Sequence, residues 1–116
     1  WSIARPELKE LPSDGLSEVI IACGSIPFVE YSRPGTQSMG DNLKKYLPKN
    51  RALILSRHGA VCWGETLEEA YIGMERIEHS ATILEKAHNL GGLTSLPSDE
   101  ILALYEIRRK VGDRII

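Results

Sequence analysis

No run of apolar residues in this 116-residue chain approaches the roughly 20 needed to cross a bilayer, so no helical membrane span is expected. Neither charge dominates: 14 basic residues stand against 16 acidic ones, a formal net charge of −2. The densest basic runs, Lys44-Lys45 and Arg108-Arg109-Lys110, read as solvated helix faces, so nucleic acid is not an expected partner. Cysteine is scarce. Cys23 and Cys62 lie far apart among apolar neighbours, which reads as two reduced, buried thiols of a cytoplasmic protein; nothing in the sequence supports a disulfide between them. No charged-then-apolar leader is visible. Only three histidines are present, with no His-x-His, no His-Glu-x-x-His and no Cys-x-x-Cys. A catalytic zinc site usually takes about three protein ligands, so any metal site built from these residues is incomplete.

What is present fits one domain of mixed α/β character. Residues 52 to 64 read ALILSRHGAVCWG. Two short apolar runs, Ala52 to Leu55 and Ala60 to Trp63, flank Ser56-Arg57-His58-Gly59 and predict an antiparallel hairpin. Upstream, Leu16 to Cys23 (LSEVIIAC) is ambiguous, with Val19-Ile20-Ile21 leaning toward strand. Ile26 to Tyr31 (IPFVEY) reads as an edge-like strand, because Pro27 cannot donate to a ladder. Pro34-Gly35-Thr36 is a turn in which Thr36 caps a helix over about Gln37 to Leu47, with Met39, Leu43, Tyr46 and Leu47 at helical spacing.

The clearest element begins at Thr66. Thr66-Leu67-Glu68-Glu69 is a capping box. Leu67, Ala70, Tyr71, Met74, Ile77, Ala81 and Leu84 then mark one face of a helix of about 25 residues, ended by Gly91-Gly92. Ser98 caps a last helix, about Asp99 to Val111, with Ile101, Leu104, Tyr105 and Arg108 on one side and Gly112 after it. The opening Trp1-Ser2-Ile3-Ala4, without an initiator Met, reads as the inside of an element, so a fragment of a longer chain is expected.

Among chemistry-bearing side chains His58 stands out. A polar ring between strands needs a partner, whether a hydrogen bond, a metal or a substrate. Gly59 beside it lets a ligand approach closely. His79 and His88 on the long helix read as solvated or interface side chains, and Glu75, Glu78 and Glu85 as its exposed acidic face. Gly24-Ser25 lacks the further glycines of a phosphate loop.

The order IPFVEY, PGT, a short helix, ALILSRHGAVCWG, TLEEAYIGMERIEHSA, a Gly-Gly break and a final helix resembles the class II aldolase/adducin family over essentially all 116 residues. The resemblance implies a three-layer α/β/α fold around a mostly antiparallel sheet, of which residues 1–116 are the C-terminal portion of a single domain. It also implies homotetramers and a divalent metal, typically Zn²⁺, held by three histidines. The His-Gly pair supplies one of them, His58. The other two belong to a His-x-His motif expected just upstream of Trp1, with a catalytic glutamate and phosphate-binding loops further upstream. The implied function of the intact protein is metal-dependent retro-aldol cleavage of a ketose phosphate through a Zn-stabilised enediolate, the 116 residues alone being inactive. The alternatives within the resemblance are an adducin-like oligomerising domain without chemistry and a dehydratase or 4-epimerase. Fuculose-type aldolases carry a tyrosine proton donor where this chain has Leu16. Neither Tyr31 nor Tyr105 is assigned that role by sequence.

Overall fold

The computed structural model describes all 116 residues. In chain order the elements are helix α1 (Ser17–Cys23), strand β1 (Phe28–Val29), helix α2 (Gln37–Lys44), strands β2 (Ala52–Leu55) and β3 (Gly59–Cys62), and helices α3 (Leu67–Asn89) and α4 (Ser98–Val111). The three strands form one sheet in the order β1-β2-β3. Four residue pairs join β2 to β3 antiparallel, from Ala52↔Cys62 to Leu55↔Gly59. Two pairs, Phe28↔Ile54 and Val29↔Leu55, join β1 to β2 in parallel. An antiparallel bridge from Glu10 to Pro27 extends the pairing, so antiparallel contacts predominate, as expected.

Alternation along β2 sorts its side chains to two faces. Ala52 and Ile54 share a face with Phe28, Ala60 and Cys62 and pack into the main core with Ile77 and Leu84 of α3. Leu53, on the other face, is fully buried as well, so the sheet is covered on both sides at its centre. Each large apolar side chain fully taken from water, such as Phe28, Leu53 or Ile77, contributes about 1.5–3 kcal/mol. The long helix α3 lies against β2 and β3, and α1 packs on α4 and α3.

Several expectations are corrected. Leu16–Cys23, open between a strand and a short helix with a lean toward strand, is the short helix: residues 17–23 are helical, and Val19, Ile20, Ala22 and Cys23 are all buried. A short segment enclosed by two helices shows no periodicity, and packing overrides the preference of β-branched residues for strands. IPFVEY contributes only Phe28 and Val29 to the ladder. Pro27 serves through its carbonyl, which accepts from the Ile54 amide at 2.9 Å. Helix α2 is shorter than expected and buries no residue fully; Met39 and Leu43 are half-buried on it, and Tyr46 follows its end. Thr36 stands at its N-cap, but its hydroxyl turns back to the Arg33 carbonyl. Pro97, not Ser98, occupies the N-cap of α4.

The largest correction concerns α3. Its buried residues are Glu69, Gly73, Ile77, Ser80 and Leu84, whereas Leu67 and Tyr71 are exposed. The helix is rotated relative to the apolar stripe because two positions demand it. At Gly73 any side chain would overlap the Cys62 Sγ of β3. Glu69 is held by long-range partners described below. The Thr66 cap forms as expected, Oγ1 accepting from the Glu69 amide at 3.1 Å. The reciprocal bond shifts by one residue, Glu69 Oε2 accepting from the Glu65 amide at 2.9 Å. Past the C-terminus, Gly91 and Gly92 take φ values of 141° and 122°, open to glycine and strained for other residues.

Candidate functional site

The β2–β3 connection is the tightest turn that carries a polar ring. Leu55↔Gly59 is the closing pair, so Ser56, Arg57 and His58 form the loop. The His58 amide donates to the Leu55 carbonyl at 3.0 Å, closing a four-residue turn. Arg57, its third residue, has φ +59°, and no other residue except glycine has positive φ in this chain. Glycine or asparagine usually fills such a position, and the left-handed conformation costs other residues roughly 1–2 kcal/mol. The turn is tied down on both sides. The Ser56 amide donates to the Val29 carbonyl at 3.0 Å. The Arg57 amide donates to Ser2 Oγ at 3.0 Å, which brings the N-terminal segment against the hairpin.

That segment is fastened at a second point. The Trp1 indole Nε1 donates to the Ala81 carbonyl of α3 at 3.0 Å, and its ring meets His88 edge-on at 6.3 Å between centroids. Between the N-terminal segment, the turn and α3 lies an open cavity of about 460 Å³ whose walls include Trp1, Arg57, His58, Met74, Ile77 and Glu78. His58 is exposed at its edge rather than sealed in the sheet. No atom lies within 4 Å of the place a Gly59 side chain would occupy, so the approach beside His58 is free.

The other sequence candidates do not converge here. His79 is exposed on α3 and lines a different recess, with Arg76 and Ser17. His88 is exposed and engaged with Trp1. Of Glu75, Glu78 and Glu85, only Glu78 reaches the His58 cavity. Tyr31 is exposed on the segment after β1. Tyr105 is half-buried on α4; burial, reinforced by the Glu10 and Asp14 carboxylates, raises its phenol above the ordinary value. Leu16 is the N-cap of α1. Both cysteines are free, and burial pushes the Cys23 thiol up to about 11.

The cavity holds a single imidazole, His58. No three His, Cys, Asp or Glu side chains of this chain stand close enough together to hold an ion. An exposed imidazole on a doubly anchored turn suits one position of a tripod. Imidazole nitrogen is a suitable donor for a divalent cation, and these residues offer one such donor here.

Sequence reasoning missed the most heavily bonded side chain, Arg51. Its guanidinium donates to Glu65 Oε1 at 2.9 Å, to Asp113 Oδ2 at 3.1 Å and to the buried Glu69 Oε1 at 3.3 Å, and lies 4.3 Å over the Trp63 ring. Burial alone raises the Glu69 carboxyl. The amides of Glu65 and Ile115, with the charges of Arg114 and Arg51, outweigh that and hold it below the ordinary carboxylate range. The capping box was the one local signal pointing at Glu69. The cluster secures the hairpin base to α3 and the C-terminal residues. It takes no part in the cavity.

The family model of the class II aldolase and adducin N-terminal domain matches residues 1–84, a span that contains the N-terminal segment, the His58 turn and most of α3. The chain belongs to this family. It is 34% identical over 89 residues to a 3-oxo-tetronate 4-phosphate decarboxylase of Escherichia coli O6:H1, covering 72% of this chain and 42% of that protein. It is 26% identical over 97 residues to a rhamnulose-1-phosphate aldolase of Pectobacterium atrosepticum, covering 83% of this chain and 35% of that one. The solved structure of an L-fuculose 1-phosphate aldolase superposes with a TM-score of 0.71 at 28% identity, over 84% of this chain and 45% of that chain. This class II aldolase/adducin chain therefore spans less than half the length of the relatives it matches.

Proposed function

We propose that these residues are the C-terminal portion of a single class II aldolase/adducin-type domain, and that the intact protein is a metal-dependent lyase acting on a sugar phosphate. The observation that carries this reading is His58, an exposed imidazole on an anchored turn at the edge of a cavity, inside the span matched by the family. A divalent cation, Zn²⁺ in this reading, supplies Lewis-acid stabilisation of the negative charge that develops beside a carbonyl when a carbon–carbon bond breaks. His58 contributes one ring nitrogen, and two further histidines lie outside these 116 residues. The anchored turn fixes the backbone that carries the ring. Trp1, Met74 and Ile77 give the cavity an apolar wall.

Retro-aldol cleavage and decarboxylation of a 3-oxo acid place the same demand on such a site, because each leaves an electron pair next to a carbonyl. Aldolase activity on a ketose phosphate is the first reading, in keeping with the family and with the similarity to a rhamnulose-1-phosphate aldolase. Decarboxylation of a 3-oxo acid phosphate is the second, favoured by the 34% identity to a protein of that activity. A cytoplasmic homotetramer completes the proposal, with α3 offering Leu67 and Tyr71 to a neighbouring subunit.

The test is an assay of the intact protein against a ketose 1-phosphate and a 3-oxo acid 4-phosphate, with and without chelator. Chelator-sensitive carbon–carbon cleavage of either compound is expected. A protein that binds no metal and turns over neither compound overturns the reading and leaves an adducin-like scaffold.

A further inference from the structure

We propose that Arg57 is the anion-recognising residue of the His58 cavity, receiving an oxyanion of the substrate, a carboxylate or a phosphate, through its guanidinium. This deepens the proposed function and rests on it for the identity of the substrate, though not for the binding itself.

Three observations converge. Arg57 lines the same cavity as its neighbour His58. Its guanidinium takes part in no ion pair, and of the four arginines of which that is true, Arg33, Arg57, Arg76 and Arg108, it alone lines this cavity. The one carboxylate in the cavity wall, Glu78, lies beyond pairing distance and has Thr82 as its hydrogen-bond partner. The third observation is conformational. Arg57 holds φ +59° at the turn position where glycine or asparagine is the ordinary choice, so the fold gains nothing from an arginine there. Strained backbone of this kind concentrates where a side chain is held for binding or chemistry. The bond from the Arg57 amide to Ser2 Oγ keeps that conformation in place.

Arginine presents a planar fork of donors that matches carboxylate and phosphate two bonds at a time. Placed beside the His58 ring, it would hold the charged end of a substrate whose reacting carbons face the imidazole. Both kinds of oxyanion occur in substrates of this chemical class, so the test takes them separately.

The experiment is calorimetric titration of the intact protein with malonate and, in a separate arm, with inorganic phosphate, at fixed ionic strength. The variants are Arg57→Gly, Arg57→Lys and His58→Ala, each with its thermal midpoint. Because glycine suits the turn, Arg57→Gly is expected to fold with an unchanged or raised midpoint. It is also expected to weaken one of the two anions about tenfold or more. The arm that responds identifies the oxyanion. Arg57→Lys is expected to fall between, and His58→Ala to retain the anion whose binding depends on Arg57. Equal affinity of wild type and Arg57→Gly for both anions overturns the assignment. So does a lowered midpoint in Arg57→Gly, which would make the arginine structural. Loss of anion binding in Arg57→Gly, in a protein that cleaves neither substrate class, supports Arg57 and sinks the catalytic reading alone.

Discussion

The Glu69 carboxylate accepts the backbone N–H of Ile115 at 3.0 Å, across 46 residues of sequence. The same carboxylate meets Arg51, Arg114 and the Glu65 amide, so one buried side chain joins the hairpin base, the start of α3 and the C-terminal residues. Glu69→Ala leaves the buried Arg51 guanidinium and the Ile115 amide short of a partner, and is expected to cost about 3 kcal/mol by urea denaturation.

Acid titration reads the same carboxylate. Its folded pKa lies below the ordinary value, so its contribution is fully present above about pH 4.3 and is lost as pH falls through the lower folded value. Wild type is therefore expected to lose stability more steeply than Glu69→Gln on acidification below that pH. Parallel curves for the two proteins would show that Glu69 is not linked to folding.

Gly73 and Cys62 are a second coupled pair. A side chain at 73 overlaps the Cys62 Sγ. Alanine is favoured over glycine inside a helix by about 1 kcal/mol, yet Gly73→Ala is expected to destabilise by about 1–3 kcal/mol through overpacking. Adding Cys62→Ala makes room. The double variant is expected to be more stable than the sum of the single effects by about 1 kcal/mol or more in a double-mutant cycle. Strict additivity would place the two residues out of contact.

Thiol labelling tests the core beneath α1. Burial pushes Cys23 up to about 11, so almost none of it is thiolate at pH 8. Peptide mapping after iodoacetamide treatment in native buffer is expected to find Cys62, which is only partly buried, modified before Cys23. Cys23 is expected to react at the rate of a free thiol only in denaturant. Early labelling of Cys23 would mean that α1 opens readily.

The parts of the fold legible in sequence are those whose causes are local. The hairpin reads from two apolar runs around a polar turn, the start of α3 from Thr66, and the limit of that helix from Gly91-Gly92. His58 was visible because a ring stands out between strands. What stayed hidden depends on partners far away in sequence. Of the stripe Leu67, Ala70, Tyr71, Met74, Ile77, Ala81 and Leu84, the later members Ile77, Ala81 and Leu84 do face the core, but Leu67, Tyr71 and Met74 are exposed, because Glu69 and Gly73 turn the start of the helix toward Arg51, Ile115 and Cys62. Val19-Ile20-Ile21 gave no period because α1 is enclosed by α3 and α4. Arg57 had no sequence signal: its meaning lies in a backbone dihedral angle.

Metal content of the intact protein, wild type beside His58→Ala, tests the central role given to His58 most directly. His58 is exposed, so the variant is expected to keep the wild-type circular dichroism spectrum. Wild type is expected to hold about one divalent ion per protomer and His58→Ala far less. Equal metal content in two equally folded proteins would contradict the assignment of His58 as a ligand.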